Sequence, residues 1–276
     1  MAWQVTSIKE VINRTIVGKI LPAHDEKGHH YRFFDTDLVV DSVTTIIGRV
    51  LSKPHLLPRA IRRGVLWLEI NDRWQNLKDP TLREEYITGA ISAHTDIRDD
   101  AGGVGTIAHD AIEKYINIWL ETGEAPLDIR KMFANEDEPR AIAAARGAEE
   151  LMKKHNVVPI ASELLVGDKK VSAGTLDFLC LWDGELTLVD WKSSNSIGDD
   201  YAMQTAAYKK FFEHMTDMKI FQIKIVHLSK DMAKFGVYNV VAPYLAYQAF
   251  RSLCCFDRYW SNQSQKLTKD IKRETL

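Results

Sequence analysis

Apolar and polar positions follow two different periods along this chain, and the period changes near Pro159. Upstream, from about 54 to 155, apolar side chains recur every three or four positions, the spacing of a buried helix face. Ser52 can cap the first such helix, with Pro54 in its first turn. Pro80 interrupts the pattern, and a second helical stretch covers about 81–94. Asp99-Asp100-Ala101-Gly102-Gly103 predicts a loop, 105–121 an amphipathic helix stopping near Gly123, and about 137–155 another helix. Beyond Pro159 the runs shorten. Residues 160–167, 171–182 and 185–192 predict three strands in quick succession. Helix returns at about 199–215, strands follow near 220–228 and 235–241, and a long helix starts after Pro243. Near the N-terminus, Tyr31-Arg32-Phe33-Phe34 and Leu38-Val39-Val40 flank Asp35-Thr36-Asp37 as a further hairpin.

This order predicts an α/β fold, a mixed central sheet flanked by helices. The sheet core spans about 156–241, and a large helical cap or insertion spans about 54–155. No Gly/Ser/Pro linker separates them, so 1–276 is expected to form a single domain. With 45% hydrophobic and 27% charged residues the chain has globular composition and material for a core. No run approaches the roughly 20 apolar residues of a membrane helix. The first residues lack a charged and then apolar leader, so a cytoplasmic location with no membrane partner is expected. The net charge of -2 argues against a wholly basic nucleic-acid binder but not against a local basic patch. Cys180, Cys254 and Cys255 are the only cysteines, an odd count with two adjacent, which argues against a disulfide framework. They are too few for an all-cysteine four-ligand cluster.

The most informative stretch runs from Gly174 to Lys192. Asp183-Gly184 between two apolar runs signals a two-residue hairpin turn. That turn sets Trp182 against Glu185 and, further along both strands, Asp177 against Asp190 on one face. Opposed Cβ atoms lie about 5 Å apart, and two carboxylates at that distance repel by roughly 3 kcal/mol at an effective dielectric of 20. Apolar neighbours limit screening, so either one carboxyl is protonated or a cation sits between them. Lys192 lies two residues beyond Asp190 and shares its face, whereas Trp191 points the other way, towards Val189, Phe178 and Cys180. Two carboxylates beside a lysine suit a hard cation such as Mg²⁺ or Mn²⁺. The lysine can orient or deprotonate a water, or neutralise charge on a phosphate. A salt-bridge triad with nothing bound is the alternative.

Further candidates surround this hairpin. Gln204 and Tyr208, four apart on the following helix, share a face beside Ala202, Ala206 and Ala207. They can contact a phosphate or hold Lys192, or Tyr208 can be half-buried core. His109 shares an inward stripe with Ile112, Ile116 and Leu120, as ligand or core histidine. Glu163 lies in the strand before the hairpin, either at the site or solvated. His55, Arg59, Arg62 and Arg63 fall on one side of the helix after Pro54 and can line a DNA channel. They can equally be a solvated face, since Glu69 and Asp72 follow. Trp67 and Trp74 fit core better than base-stacking platforms.

Together these residues resemble the RecB-like branch of the PD-(D/E)xK nuclease superfamily. The branch pattern is Gly-x-x-x-His on a helix, an upstream Glu, Gly-x-x-Asp, Asp/Glu-x-Lys and Gln-x-x-x-Tyr. The chain offers Gly105…His109, Glu163, Gly174-Thr175-Leu176-Asp177, Asp190-Trp191-Lys192 and Gln204…Tyr208 in that order, over roughly residues 105–228. Asp41-Ser42-Val43-Thr44 is more loosely similar to an N-terminal segment of phage and mitochondrial exonucleases of this type. Leu176 stands where the name has proline. The resemblance implies a restriction-endonuclease-like fold and metal-dependent hydrolysis of DNA. It makes His109, Asp177 and Asp190 metal ligands, with the Trp191 carbonyl a further one and Glu163 in support. It makes Lys192 the catalytic lysine, acting with Asp177 and Asp190, and places Gln204 and Tyr208 on the substrate side. The expected activity is a DNA exonuclease of phage or bacterial-type replication, recombination or repair. A recombinase, helicase or single-strand-binding protein is a possible partner. A structure- or site-specific endonuclease, or a nuclease-fold protein that binds DNA without cleaving it, is the alternative. Relatives with an iron–sulfur cluster use four cysteines, so no cluster is expected here.

Overall fold

Asp183 and Gly184 both take positive φ, 52° and 88°, as the centre of a tight hairpin requires. In the computed structural model, which describes residues 2–25, 28–51, 56–72, 74–133, 138–194 and 196–274, that hairpin lies within a five-stranded sheet. The chain begins with α1 (Ala2–Thr15), then β1 (Ile20–Asp25), β2 (Gly28–Phe33) and β3 (Val39–Asp41), which pair antiparallel in that order. Ser42 caps α2 (Val43–Val50), its hydroxyl accepting from the Thr45 amide at 2.9 Å. The helices α3 (Leu56–Asn71), α4 (Pro80–Thr122) and α5 (Pro139–Lys154) follow. Then come β4 (Val157–Asp168), β5 (Ser172–Trp182), β6 (Glu185–Lys192), α6 (Asp199–Thr216), β7 (Gln222–Leu228), β8 (Phe235–Asn239) and α7 (Pro243–Glu274). The large sheet has the order β4-β5-β6-β7-β8. Only β6 and β7 pair parallel, joined by the α6 crossover, so the sheet is mixed as expected.

Strand alternation divides the core. Leu179, Leu181, Leu186 and Leu188 join Ile8 and Ile12 of α1, Ile46 and Ile47 of α2, Phe211 of α6 and Phe250 of α7 in one apolar cluster. Their neighbours Phe178, Cys180, Val189 and Trp191 are also buried, and α5 contacts β7 and β8. The hairpin strands are thus covered on both faces.

Several expectations change. The loop at Asp99–Gly103 does not form, because α4 is helical throughout. Its two glycines cost about 1 kcal/mol each against alanine, which propagation of the helix from both sides outweighs. The helical block also does not form one cap. Ser52–Ile107 is one compact unit, whereas Met1–Leu51 and Ala108–Leu276 form the other. From Ala108 onward α4 buries Ala111, Ile112, Tyr115 and Ile116 in a core rather than leaving them on an insertion. The elements α1, β1 and α2 were not expected from the sequence pattern. Within the smaller unit, Trp67 packs against Tyr86 with ring centroids 5.4 Å apart and planes tilted by 53°, as a core residue does. A Cβ on Gly89 would lie 2.5 Å from the Trp67 ring, so only glycine lets α3 and α4 approach this closely. The Ser52–Pro54 cap and His55 lie outside the described residues, as does the Trp74 side chain. No described helix is long and apolar enough to cross a membrane.

Candidate active site

The β5–β6 ladder keeps the register set by the turn from Trp182↔Glu185 to Phe178↔Val189, and there it stops. Asp177 and Asp190 do not form the next opposed pair. Asp177 instead turns its Oδ2 onto the Trp191 amide, accepting at 2.9 Å. This corrects the expected face-to-face pair. A carboxylate opposite a second carboxylate would repel it, and an amide at the end of the ladder offers a donor instead. Trp191 points to the opposite face and stacks on Phe178 at 5.8 Å, as the alternation predicts.

Asp190 is only 1% exposed. Lys192 Nζ stands 2.7 Å from its Oδ2, although no hydrogen bond of ordinary geometry reaches that oxygen. Burial pushes the Asp190 carboxyl well above the carboxylate range, while Lys192 draws it back. For Lys192, burial works against the charge, but Asp190 and Asp177 more than offset it and hold the ammonium above its usual range. The Lys192 stem is mostly buried, and its ammonium lies 5.1 Å from the centre of the Tyr201 ring on α6.

Gln204 and Tyr208 lie on the same helix, both buried. Gln204 Nε2 donates to Asp190 Oδ1 at 3.5 Å and to the Tyr208 hydroxyl at 3.3 Å. Their polar atoms therefore face Asp190 and each other, which suits a role in positioning the acid. Gly174 makes room for them, since a Cβ there would lie 2.4 Å from Tyr208 Cε1.

His109, on α4, has its Nδ1 4.0 Å from Asp177 Oδ2. Burial lowers its pKa, opposed by Asp177 and by a hydrogen bond to the Trp191 carbonyl, so the ring is neutral at pH 7. Glu163 lies within β4 in the left-handed region, φ 48°, where β4 omits it from the pairing with β5. The residue is exposed overall, yet its pKa is pushed up to about 8 by the partial burial of its carboxyl, then by Asp177 and Glu113. Asp110 adds to that repulsion.

Asp110, Glu113, Tyr31 and Tyr201 were not expected at this site from the sequence. Glu113 stands one helical turn after His109, so its i+4 spacing was a usable signal. Tyr31 comes from β2, and its hydroxyl meets Thr175 Oγ1 at 3.0 Å, a pairing no local pattern announces. Arg59, Arg62 and Arg63 are exposed on α3, in the smaller unit.

The donor set bears on metal binding directly. Among the described residues, no three His, Cys, Asp or Glu side chains already converge on one point. Two ligand atoms on one ion, each about 2.1 Å from it, stand roughly 3 to 4.2 Å apart. The His109–Asp177 separation of 4.0 Å falls in that span. Asp177, Glu113 and Asp110 all disfavour ionisation of Glu163, Asp177 and Asp200 disfavour that of Asp190, and Lys192 opposes both effects. An excess of carboxylates around a neutral imidazole is the surrounding a divalent cation relieves. The residues present fit such an ion. Compared with known proteins, the sequence matches no protein-family model and no curated protein.

Proposed function

We propose that this chain is a metal-dependent deoxyribonuclease of restriction-endonuclease-like fold, acting as an exonuclease. The observation that carries the reading is the buried Asp190–Lys192 contact of 2.7 Å beside Asp177 and His109. His109, Asp177, Asp190 and the Trp191 carbonyl would hold Mg²⁺ or Mn²⁺, with Glu163 alongside. When bound, the ion supplies Lewis-acid stabilisation of the phosphate and a more acidic water. Lys192 stays protonated between Asp190 and Asp177, and its role is a fixed positive charge for a phosphate oxygen. Gln204 and Tyr208 hold Asp190 in place from below. The neutral His109 ring is ready to bind a cation without first losing a proton.

The test is digestion of linear and covalently closed DNA, labelled at either end, with Mg²⁺, Mn²⁺ or EDTA. Metal-dependent loss of linear DNA alone, abolished by Lys192→Ala, is the expected result. Cleavage of the closed circle would instead establish an endonuclease. Tight binding of DNA without cleavage at saturating Mn²⁺ would refute catalysis and leave a binding protein.

A further inference from the structure

The outward side of α3 carries more than the arginines that can line a DNA channel. Arg59, Arg62 and Arg63 are all exposed there. No acid stands three or four positions from any of them, so the helix places like charges side by side without internal relief. The same face continues one turn on into apolar residues. Val65 and Leu66 follow Arg62 at i+3 and i+4, and Ile70 follows Leu66 at i+4. Their exposures are 47%, 36% and 82%. The face is thus basic towards its N-terminal end and mainly aliphatic towards its C-terminal end, where the exposed Glu69 stands beside Val65 and Leu66.

This combination discriminates between partners. Single-stranded nucleic acid is held by cations together with aromatic platforms for the bases. The aromatic residue of this helix, Trp67, is turned inward onto Tyr86 and Gly89. An 82% exposed isoleucine offers nothing to a phosphate backbone, whereas a protein interface covers aliphatic side chains and pairs charges at their rim. We infer that the outward face of α3 is a docking surface for an acidic amphipathic protein segment. Its carboxylates pair with the three arginines, and its apolar side chains cover Val65, Leu66 and Ile70.

The test pans a displayed library of random 20-residue peptides against the whole protein. A single-stranded oligonucleotide, with EDTA present, is measured in parallel. Two surface variants are compared with the wild type: Arg59→Glu/Arg62→Glu/Arg63→Glu and Val65→Ser/Leu66→Ser/Ile70→Ser. Selected peptides should combine Asp or Glu with large apolar residues at helical spacing, and bind both variants about tenfold or more weakly. The serine variant keeps the test decisive if the charge reversal fails to fold. Selection of no peptide, or of peptides indifferent to the serine variant, overturns the inference. So does an oligonucleotide that loses affinity on charge reversal alone, which would make α3 a nucleic-acid surface. None of these outcomes depends on whether DNA is cleaved.

Discussion

Gly174→Ala tests how the site is supported from beneath. The added Cβ would lie 2.4 Å from Tyr208 Cε1 and 2.9 Å from both Cζ and the hydroxyl oxygen. Carbon atoms in contact prefer about 3.5–4.0 Å, so the ring must withdraw by about 1 Å. It has little room to do so, because Tyr208 is 3% exposed and belongs to the main apolar cluster. Overpacking of this kind costs about 1–3 kcal/mol. Moving the hydroxyl also disturbs its contact with Gln204 and, through it, the one with Asp190. Two bonds this long add at most about 1 kcal/mol. The expected loss of about 1–4 kcal/mol is a large share of a typical stability of 5–15 kcal/mol.

Urea unfolding of a double-mutant cycle measures it. In a Tyr208→Leu background the far edge of the ring is absent, and leucine ends short of the position the new methyl occupies. Gly174→Ala should then cost less than about 0.5 kcal/mol, because alanine is also the better strand residue by a similar amount. The coupling between the two sites should be about 2 kcal/mol. Equal costs in both backgrounds would refute the reasoning, since the penalty would then come from the strand and not from the ring.

The remaining predictions concern charge. Lys192→Met leaves a 1% exposed Asp190 without its ion partner and should cost about 3–5 kcal/mol at pH 8. The loss should shrink as pH falls below about 4, where the unfolded carboxyl also takes up its proton, and Asp190→Asn should restore most of it; a pH-independent loss in urea titrations would contradict this. Glu163 has a folded pKa of about 8, above its unfolded value, so it destabilises the protein progressively as pH rises from about 4.5 through 8. Without added metal, Glu163→Gln should therefore melt higher than wild type above pH 8 and together with it near pH 4.5. Millimolar Mn²⁺ should raise the wild-type melting temperature and leave Asp177→Asn unmoved, as ligand linkage requires; equal shifts in both would place the ion elsewhere.

The parts of this architecture legible in the sequence were those with local causes. Asp183-Gly184 imposed its own turn, and the register of Phe178 to Trp182 followed from it. The alternation that separates Trp191 from Asp190 and Lys192 needed only the strand period. What escaped had distant causes. The ladder ends one step before Asp177 because a backbone amide competes for its carboxylate. Glu163 leaves the pairing at a left-handed position, which a residue pattern does not reveal. Tyr31 arrives from a strand more than a hundred residues before its partner Thr175. The Asp99–Gly103 stretch misled for the opposite reason: its local loop chemistry is genuine but weaker than helix cooperativity.

Several departures from local preference of different kinds meet at this site, and their combination supports a functional reading over a structural one. A buried ion pair is weak evidence for stability, since apolar residues of similar volume often serve as well or better. Here the pair sits under an excess of carboxylates, with a glutamate at φ 48° and a glycine kept free of any side chain by the Tyr208 ring. Each feature taken alone opposes folding: the left-handed glutamate by strain, the crowded acids by repulsion, the glycine by its chain entropy. The remainder of β5 and β6 is mostly buried and apolar and needs no such devices. A site that stores unfavourable terms while its surroundings are well packed is the expected signature of residues kept for chemistry. A divalent cation would relieve the repulsion with the carboxylates ionised and make use of the glutamate's placement, which is why metal-induced stabilisation discriminates better between these readings than the geometry of the ion pair.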